Sequence, residues 1–179
     1  MICVFLANGF EEIEALAFVD ILRRADIDVK TVSIYDDNMV TGAHGICVKS
    51  DILIKNIKKE DITGVVLPGG LPGTTNLLAS TDVKELIDYA MTNNLYAGAI
   101  CAAPMVYGVL GYLKGKNATS YPSFQNELNG ATVLQDRVVK DGNIITSRGA
   151  GTAHDFAFEF VKCIKDEKTA DSIRESMQY

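Results

Sequence analysis

Short apolar runs alternate with amphipathic segments along this chain, and this alternation limits most strongly the folds it can adopt. The runs at Ile2–Leu6, Gly64–Leu67 and Tyr96–Ile100 contain no charged residue. Continuous apolar runs are typical of strands buried on both faces, whereas strands with one solvent face alternate apolar and polar residues. A helical pattern follows each run. The sequence therefore predicts an α/β fold, with a mostly parallel sheet and helices on both of its faces.

The other predicted elements complete this alternation. We expect a second strand at residues 29–34, a small edge hairpin within residues 39–53 around Gly42 and Gly45, and a hairpin turn at residues 140–143. The predicted helices cover residues 11–25, 82–92, 102–110, 152–164 and 168–177. The first helix is expected to bury an apolar stripe made of Ile13, Leu16, Ala17 and Ile21.

Size and composition exclude several classes of function. A length of 179 residues suits a single domain over residues 1–179. The net charge of −6 argues against nucleic acid and anionic membranes as partners. No apolar run approaches the roughly 20 residues that cross a bilayer. The four cysteines are dispersed without a CxxC pair, which favours free thiols in a reducing cytoplasm.

The strongest local signal surrounds Cys101, which directly follows a predicted strand and precedes a predicted helix. Ala99 and Ala103 lie two positions away on either side, and such small neighbours are what a sharp nucleophile elbow requires. The start of a helix also stabilises a thiolate. The pattern predicts an exposed nucleophilic cysteine; the alternative is a buried structural cysteine.

A second signal is the Pro68–Gly69–Gly70 sequence at the end of another predicted strand. Glycine lets backbone N–H groups approach a ligand closely. Together with the N–H group of Ala102, the N–H groups of these glycines are predicted to form an oxyanion hole beside Cys101. An ordinary turn after a strand is the alternative interpretation.

Glu14 is the third candidate. It lies three and seven positions before Ala17 and Ile21, so we expect it on the apolar face of the first helix. Burial raises the pKa of a carboxyl group and suits it to acid–base chemistry. The alternative is that Glu14 belongs to a solvated acidic cluster with Glu11 and Glu12, which we expect to complement the helix end in water.

Four motifs along the chain resemble those of the DJ-1/ThiJ/PfpI family, and most closely its DJ-1-like branch. They are GFEEIEA, VVLPGG, GAICAAP and TSRGAGTAHDF. The resemblance implies a flavodoxin-like sandwich, a homodimer and no cofactor. It also implies that Cys101 is an oxidisable nucleophile, Glu14 its acidic partner, Gly70 and Ala102 the backbone donors, and Arg148 an anion-holding or dimer-contact group.

One position departs from the family pattern. Where the DJ-1-like branch has a histidine before proline, this chain has Tyr121 before Pro122. A tyrosine, with a reference pKa of roughly 10, donates hydrogen bonds but does not act as a base near neutral pH. The two histidines are His44, at a position that resembles a family arginine, and His154. We expect surface or packing roles for both.

Three functional hypotheses follow, in this order. The first is cysteine-dependent conversion of a reactive carbonyl, such as methylglyoxal or a glycated substrate, by a glyoxalase III or deglycase-like reaction. The second is an oxidative-stress sensor or chaperone-like protein in which Cys101 becomes a sulfinate without turnover. The third is an intracellular cysteine peptidase, disfavoured by Tyr121. The sequence shows no metal-ligand spacing and no complete dinucleotide motif.

Overall fold

A seven-stranded sheet lies at the centre of the computed structural model, which describes residues 1–179. Its spatial order is β10-β11-β7-β6-β1-β2-β5; β10 runs antiparallel to β11, and every other neighbouring pair is parallel. Two separate two-stranded sheets are formed by β3 with β4 and by β8 with β9. In chain order, the strands are β1 (Ile2–Leu6), β2 (Val29–Ser33), β3 (Met39–Thr41), β4 (Cys47–Lys49), β5 (Ile52–Leu53), β6 (Gly64–Leu67), β7 (Tyr96–Ile100), β8 (Asn117–Ala118), β9 (Thr132–Val133), β10 (Val138–Asp141) and β11 (Ile144–Ser147).

Six α-helices cover both faces of this sheet, as the sequence predicts. The first, fifth and sixth helices pack on one face, and the second, third and fourth pack on the other. No helix combines the length and apolar composition needed to cross a lipid bilayer. The helices are α1 (Glu12–Arg24), α2 (Gly73–Ala79), α3 (Thr81–Thr92), α4 (Pro104–Val109), α5 (Ala153–Ile164) and α6 (Glu167–Ser176).

Strand β1 shows why the sheet needs helices on both sides. Ile2, Val4 and Leu6 belong to the core beneath α1 and α5, whereas Cys3 and Phe5 belong to the core on the opposite face. Successive side chains of a strand point to opposite faces, so an apolar residue at every position requires two cores.

The structure corrects the predicted apolar stripe of α1. Ile13 and Leu16 are 54% and 37% exposed. The buried face contains Phe18 instead, whose ring lies 4.9 Å from that of Phe160 in α5. The helix is rotated so that its aromatic side chain, the largest available, fills the interface with α5. This rotation leaves two large aliphatic side chains facing outward.

The structure differs from the predictions in one additional helix, one helix boundary and the position of one hairpin. Helix α2 was not predicted, because its Gly-Thr-Thr opening has weak helix propensity. Helix α4 begins at Pro104, since residues 101–103 form a turn and proline suits a first helical position. The hairpin of β3 and β4 is separate from the main sheet, whose two edge strands are β10 and β5. The predicted hairpin turn between β10 and β11 is confirmed.

The aromatic contact between α1 and α5 yields a stability prediction. Phe160 is fully buried, and its ring packs against Phe18 and Phe156. We expect Phe160→Ala to lower the free energy of unfolding by about 3–5 kcal/mol, because it leaves a cavity in a packed core. Chemical denaturation followed by circular dichroism measures this change. Val109→Ala, at an exposed position of α4, is the control, and equal losses in both variants would contradict the packing described.

Candidate active site

The predicted site residues meet at the carboxyl edge of the sheet. Strands β1, β6, β7 and β11 are parallel, and the chain leaves each of them at this edge. Glu14 follows β1, Gly69 and Gly70 follow β6, Cys101 follows β7, and Gly149 follows β11. The connections reverse direction between β1 and β6, and such reversal points of parallel sheets form crevices that bind ligands.

The backbone of Cys101 has the strained geometry of a nucleophile elbow. Its φ angle is +63°, in the left-handed region that side chains other than glycine rarely adopt. Two hydrogen bonds hold this conformation: the Cys101 N–H donates to the Ser147 carbonyl at 3.0 Å, and the Tyr121 N–H donates to the Cys101 carbonyl at 2.8 Å. The side chain is partly exposed. The structure thus places Cys101 at a sharp corner, as its sequence context predicts.

Gly69 connects Cys101 with Glu14. The Gly69 N–H donates a 2.7 Å hydrogen bond to Glu14 Oε2. A Cβ atom at Gly69 would lie 2.6 Å from the Cys101 Cβ and 2.7 Å from Glu14 Oε2, which are impossible distances. Only glycine therefore allows the three residues to approach one another this closely.

Glu14 is an isolated buried carboxyl group. It is 1% exposed, and its Oε1 atom has no hydrogen-bond partner of good geometry. Burial raises its pKa to about 7, and the negative charge of Glu11 adds to this effect, whereas the Gly69 N–H and the Cys101 side chain oppose it. The buried face expected for Glu14 is confirmed, and so is that of Ile21, whereas Ile13 and Leu16 of the predicted stripe are exposed.

Burial and the neighbouring Glu14 carboxylate together disfavour a thiolate at Cys101. Burial, followed by the negative charge of Glu14, raises the pKa of Cys101 to about 12, while the N–H groups of Ala102 and Gly70 lower it. The thiol therefore keeps its proton while Glu14 is ionised. Protonation of Glu14 removes its negative charge but not the effect of burial, so the thiolate is less disfavoured when Glu14 carries a proton. This differs from the sequence-based expectation of a thiolate stabilised mainly by a helix end, because α4 starts three residues after Cys101.

The two predicted backbone donors lie beside the sulfur. The N–H groups of Gly70 and Ala102 both lower the pKa of the Cys101 thiol, because each favours a thiolate at this position. Gly70 has a φ angle of +87°, and a Cβ atom there would lie 2.5 Å from the Glu11 nitrogen and the Gly9 oxygen. Two N–H groups that converge on one sulfur are arranged to bind the oxyanion formed when that sulfur attacks a carbonyl.

The ring of Tyr121 lies near the thiol, on the other side of Gly149. A Cβ atom on Gly149 would lie 3.5 Å from Tyr121 Cδ2 and 3.9 Å from Cys101 Sγ, so the bare Gly149 separates the two side chains. Tyr121 is 49% exposed. None of the four surface clefts is lined by Cys101.

Arg148 and the histidines make their contacts away from the sulfur. The Arg148 guanidinium group donates to the Gln135 carbonyl at 3.1 Å. His44 Nδ1 lies 2.9 Å from Glu12 Oε2, and the His154 ring stacks on that of Tyr179. Neither imidazole hydrogen bonds with Cys101, so the structure contains no Cys–His pair.

Three features of this region escape prediction from the sequence. Gly69 was expected to offer its N–H group to a ligand and Gly149 was assigned no role at the site, whereas a side chain on either would contact Cys101. Glu12, expected in water, is 4% exposed and accepts hydrogen bonds from the β3–β4 hairpin. The only sequence signal for Glu12 was its membership of an acidic cluster, which does not indicate which of the carboxylates is buried.

Comparison with known proteins places this geometry in a family. The model of the DJ-1/PfpI family matches residues 1–163. The chain is 35% identical to protein dj-1beta of Drosophila melanogaster, over 97% of this chain and 94% of that protein. It is 30% identical to deglycase PfpI of Pyrococcus furiosus, over 89% of this chain and 96% of the relative. It is 36% identical to protein DJ-1 homolog B of Arabidopsis thaliana, but spans only 37% of that longer protein.

A solved structure agrees with these sequence matches. The structure of oxidised DJ-1 from Toxoplasma gondii superposes with a TM-score of 0.95 at 31% identity, covering 99% of this chain and 97% of the other. The family match covers β1, the elbow and the strands between them, where the site residues lie. The chain belongs to the DJ-1/PfpI family.

Proposed function

We propose that this protein is a cysteine-dependent enzyme that converts small reactive carbonyl compounds such as methylglyoxal, without a cofactor, in a stress-protective role. The observation that carries the proposal is the cluster around the thiol: a strained, partly exposed Cys101, two converging N–H groups and the buried Glu14 carboxyl group. The relative named as a deglycase supports the same chemistry. The four free cysteines support a reducing cytoplasmic location.

The first step uses the coupling between Cys101 and Glu14. The ionised carboxylate takes the thiol proton as the sulfur adds to the aldehyde carbon of methylglyoxal. The electron pair of the carbonyl moves to oxygen, and the Gly70 and Ala102 N–H groups bind the resulting oxyanion. Glu14 then returns the proton to that oxygen, which completes a hemithioacetal.

The second stage moves a proton within the bound molecule. Glu14 removes the proton from the former aldehyde carbon while the ketone oxygen gains a proton from solvent, which gives an enediol. Glu14 then delivers its proton to the former ketone carbon, and the hydroxyl group on the sulfur-bearing carbon loses its proton to solvent, which gives a thioester of lactate. Water hydrolyses this thioester, releases lactate and restores the thiol. Methylglyoxal plus water thus becomes lactate, with one carbon oxidised and its neighbour reduced. A carboxyl group with a pKa near neutrality suits both directions of proton transfer.

A redox sensor is the second candidate function, and the free Oε1 atom of Glu14 favours it. A sulfinate on Cys101 would accept hydrogen bonds from the Gly70 and Ala102 N–H groups and from protonated Glu14. The structure of the Toxoplasma relative is of its oxidised form. A peptidase is not proposed, because no imidazole contacts the thiol.

We further propose that the protein forms a homodimer through an exposed apolar surface. Ile13 and Leu16 on α1 and Met39 and Ile46 of the hairpin region are all exposed, and the Ile46 N–H hydrogen bonds with Glu12 beside Ile13. Exposed groups of large aliphatic side chains mark protein–protein contacts. A second copy of this chain would cover them.

Substitutions of Glu14 test the proposed mechanism. We expect Glu14→Gln and Glu14→Leu each to lower lactate release from methylglyoxal by about 100-fold or more, because both remove proton transfer. The measurement is enzymatic detection of lactate, with loss in buffer alone subtracted. Cys101→Ala sets the background and His154→Gln is the matched control. Full activity in both Glu14 variants would contradict the mechanism.

The same variants separate catalysis from redox sensing. We expect Glu14→Gln to retain the sulfinate under peroxide, because its amide still donates a hydrogen bond, whereas Glu14→Leu has no donor and does not retain it. Mass spectrometry of the intact protein distinguishes the sulfinate from the sulfonate. Identical oxidation products in Glu14→Leu and the wild type would remove Glu14 from the redox hypothesis.

Limiting peroxide tests the choice of nucleophile. We expect oxidation first at Cys101, because Cys3 is buried and Cys163 is half-buried in a helix, whereas Cys47 is exposed without a neighbouring acid–base group. Peptide mass spectrometry reports the order of modification. Oxidation of Cys47 ahead of Cys101 would contradict this assignment.

Sedimentation equilibrium tests the dimer. The wild-type protein at micromolar concentration should have about twice the chain mass of 19.4 kDa. Leu16→Glu should shift it to the monomer, since an uncompensated buried charge costs about 3 kcal/mol or more. Val109→Glu changes an exposed residue of α4 and should leave the dimer intact. A wild-type protein that sediments only as a monomer would exclude the dimer.

A further inference from the structure

Three side chains outside the thiol site, those of Glu11, Glu12 and His44, lie close together and take no part in the steps proposed at Cys101. His44 Nδ1 lies 2.9 Å from Glu12 Oε2 and 3.7 Å from Glu11 Oε2. One potential ligand atom from each residue lies within 4.8 Å of the other two. His44 is separated from the two glutamates by about 30 residues of sequence, so only the fold brings this cluster together.

The backbone holds both halves of the cluster in place. The Gly9 N–H donates to the Thr41 carbonyl and the Ala43 N–H donates to the Phe10 carbonyl, each at 2.8 Å. These bonds fasten the β3–β4 hairpin to the segment that precedes α1. Gly42 completes the fit, because a Cβ atom there would overlap the Glu12 carboxyl group.

The Glu12 carboxylate has a fixed orientation, because backbone N–H groups hold one of its two oxygens. Its Oε1 atom accepts hydrogen bonds from the backbone N–H group of His44 at 2.8 Å and from the backbone N–H group of Ile46 at 3.4 Å. These bonds direct the other oxygen, Oε2, toward the imidazole. Metal-binding carboxylates are commonly held by such outer hydrogen bonds, which position them before the ion arrives.

The spacing and charge of the cluster suit a zinc-class cation. With zinc–ligand bonds of about 2.0–2.1 Å, two ligands of a tetrahedral ion lie about 3.3 Å apart. The two distances from His44 Nδ1, 2.9 and 3.7 Å, lie on either side of this value. Two carboxylates and a neutral imidazole balance a double positive charge. Neither glutamate has a lysine or arginine in its ion pairs, and His44 is their sole cationic partner.

We propose that Glu11, Glu12 and His44 bind a single zinc-class divalent cation, with water from the exposed side of His44 completing its coordination. The ion would take the place of the proton on His44 Nδ1 and would connect the hairpin with the first turn of α1. This site does not use Cys101 and does not depend on the carbonyl chemistry proposed above.

Isothermal titration calorimetry with zinc chloride tests the site in the full-length, metal-stripped protein after removal of any histidine tag. We expect one zinc ion per chain. His44→Gln and Glu11→Gln should each weaken binding by about tenfold or more, since each removes one ligand. His154→Gln is the matched control, because it changes the other histidine, which stacks on Tyr179 outside the cluster. It should change the affinity by less than about twofold.

Thiolates also bind zinc, so two further measurements identify the ligands. Cys101→Ala and Cys47→Ser should retain the zinc affinity of the wild type. Cobalt(II) bound in place of zinc should show visible bands without a sulfur-to-metal charge-transfer band. Loss of binding in either cysteine variant, a sulfur band in the cobalt spectrum, or unchanged affinity in His44→Gln would overturn the proposal. Because His44 is exposed, a near-ultraviolet circular dichroism spectrum of its variant should match the wild type.

Discussion

The hydrogen bond from the Gly69 N–H to Glu14 Oε2 is the contact on which the candidate active site depends. At 2.7 Å, it joins the loop after β6 to the first turn of α1, directly beneath the corner of Cys101. The Glu11 N–H bonds back to the Gly69 carbonyl at 2.9 Å, so the two segments are joined in both directions. Without this pairing, neither the buried carboxylate nor the Gly70 N–H would have a defined position relative to the sulfur.

This arrangement makes the carboxyl group and the thiol a single acid–base unit. Burial disfavours the charged form of both groups, and a negative charge on one opposes a negative charge on the other. Ionisation of one group therefore disfavours ionisation of the other, whereas the backbone N–H groups of Gly70 and Ala102 favour the thiolate. In the proposed mechanism the thiol is activated by transfer of its proton to Glu14, because the short helix α4 begins three residues after Cys101.

Three consecutive residues in the first turn of α1 face three different surroundings. Glu14 faces inward to the thiol, Glu12 faces the β3–β4 hairpin, and Ile13 faces outward. Residues that are adjacent along a helix point about 100° apart, so a short sequence reaches all three surroundings. The exposed aliphatic side chains, the His44 cluster and the buried carboxyl group are therefore physically close, and the negative charge of Glu11 in that cluster also raises the pKa of Glu14.

The sequence by itself determined the fold class, because continuous apolar strands require cores on both faces of a sheet and the helical segments between them supply the cover. It also indicated the elbow at Cys101, since small neighbours between a strand and a helix are a local requirement. The rotation of α1 was decided by the tertiary structure: Phe18 fills the contact with α5, and this leaves Ile13 and Leu16 exposed. The roles of Gly69, Gly149 and Glu12 likewise depend on neighbours that lie far away in the chain. The periodicity of a sequence shows which residues are apolar. The contacts of a buried carboxylate form only when the chain has folded, and these contacts set its pKa.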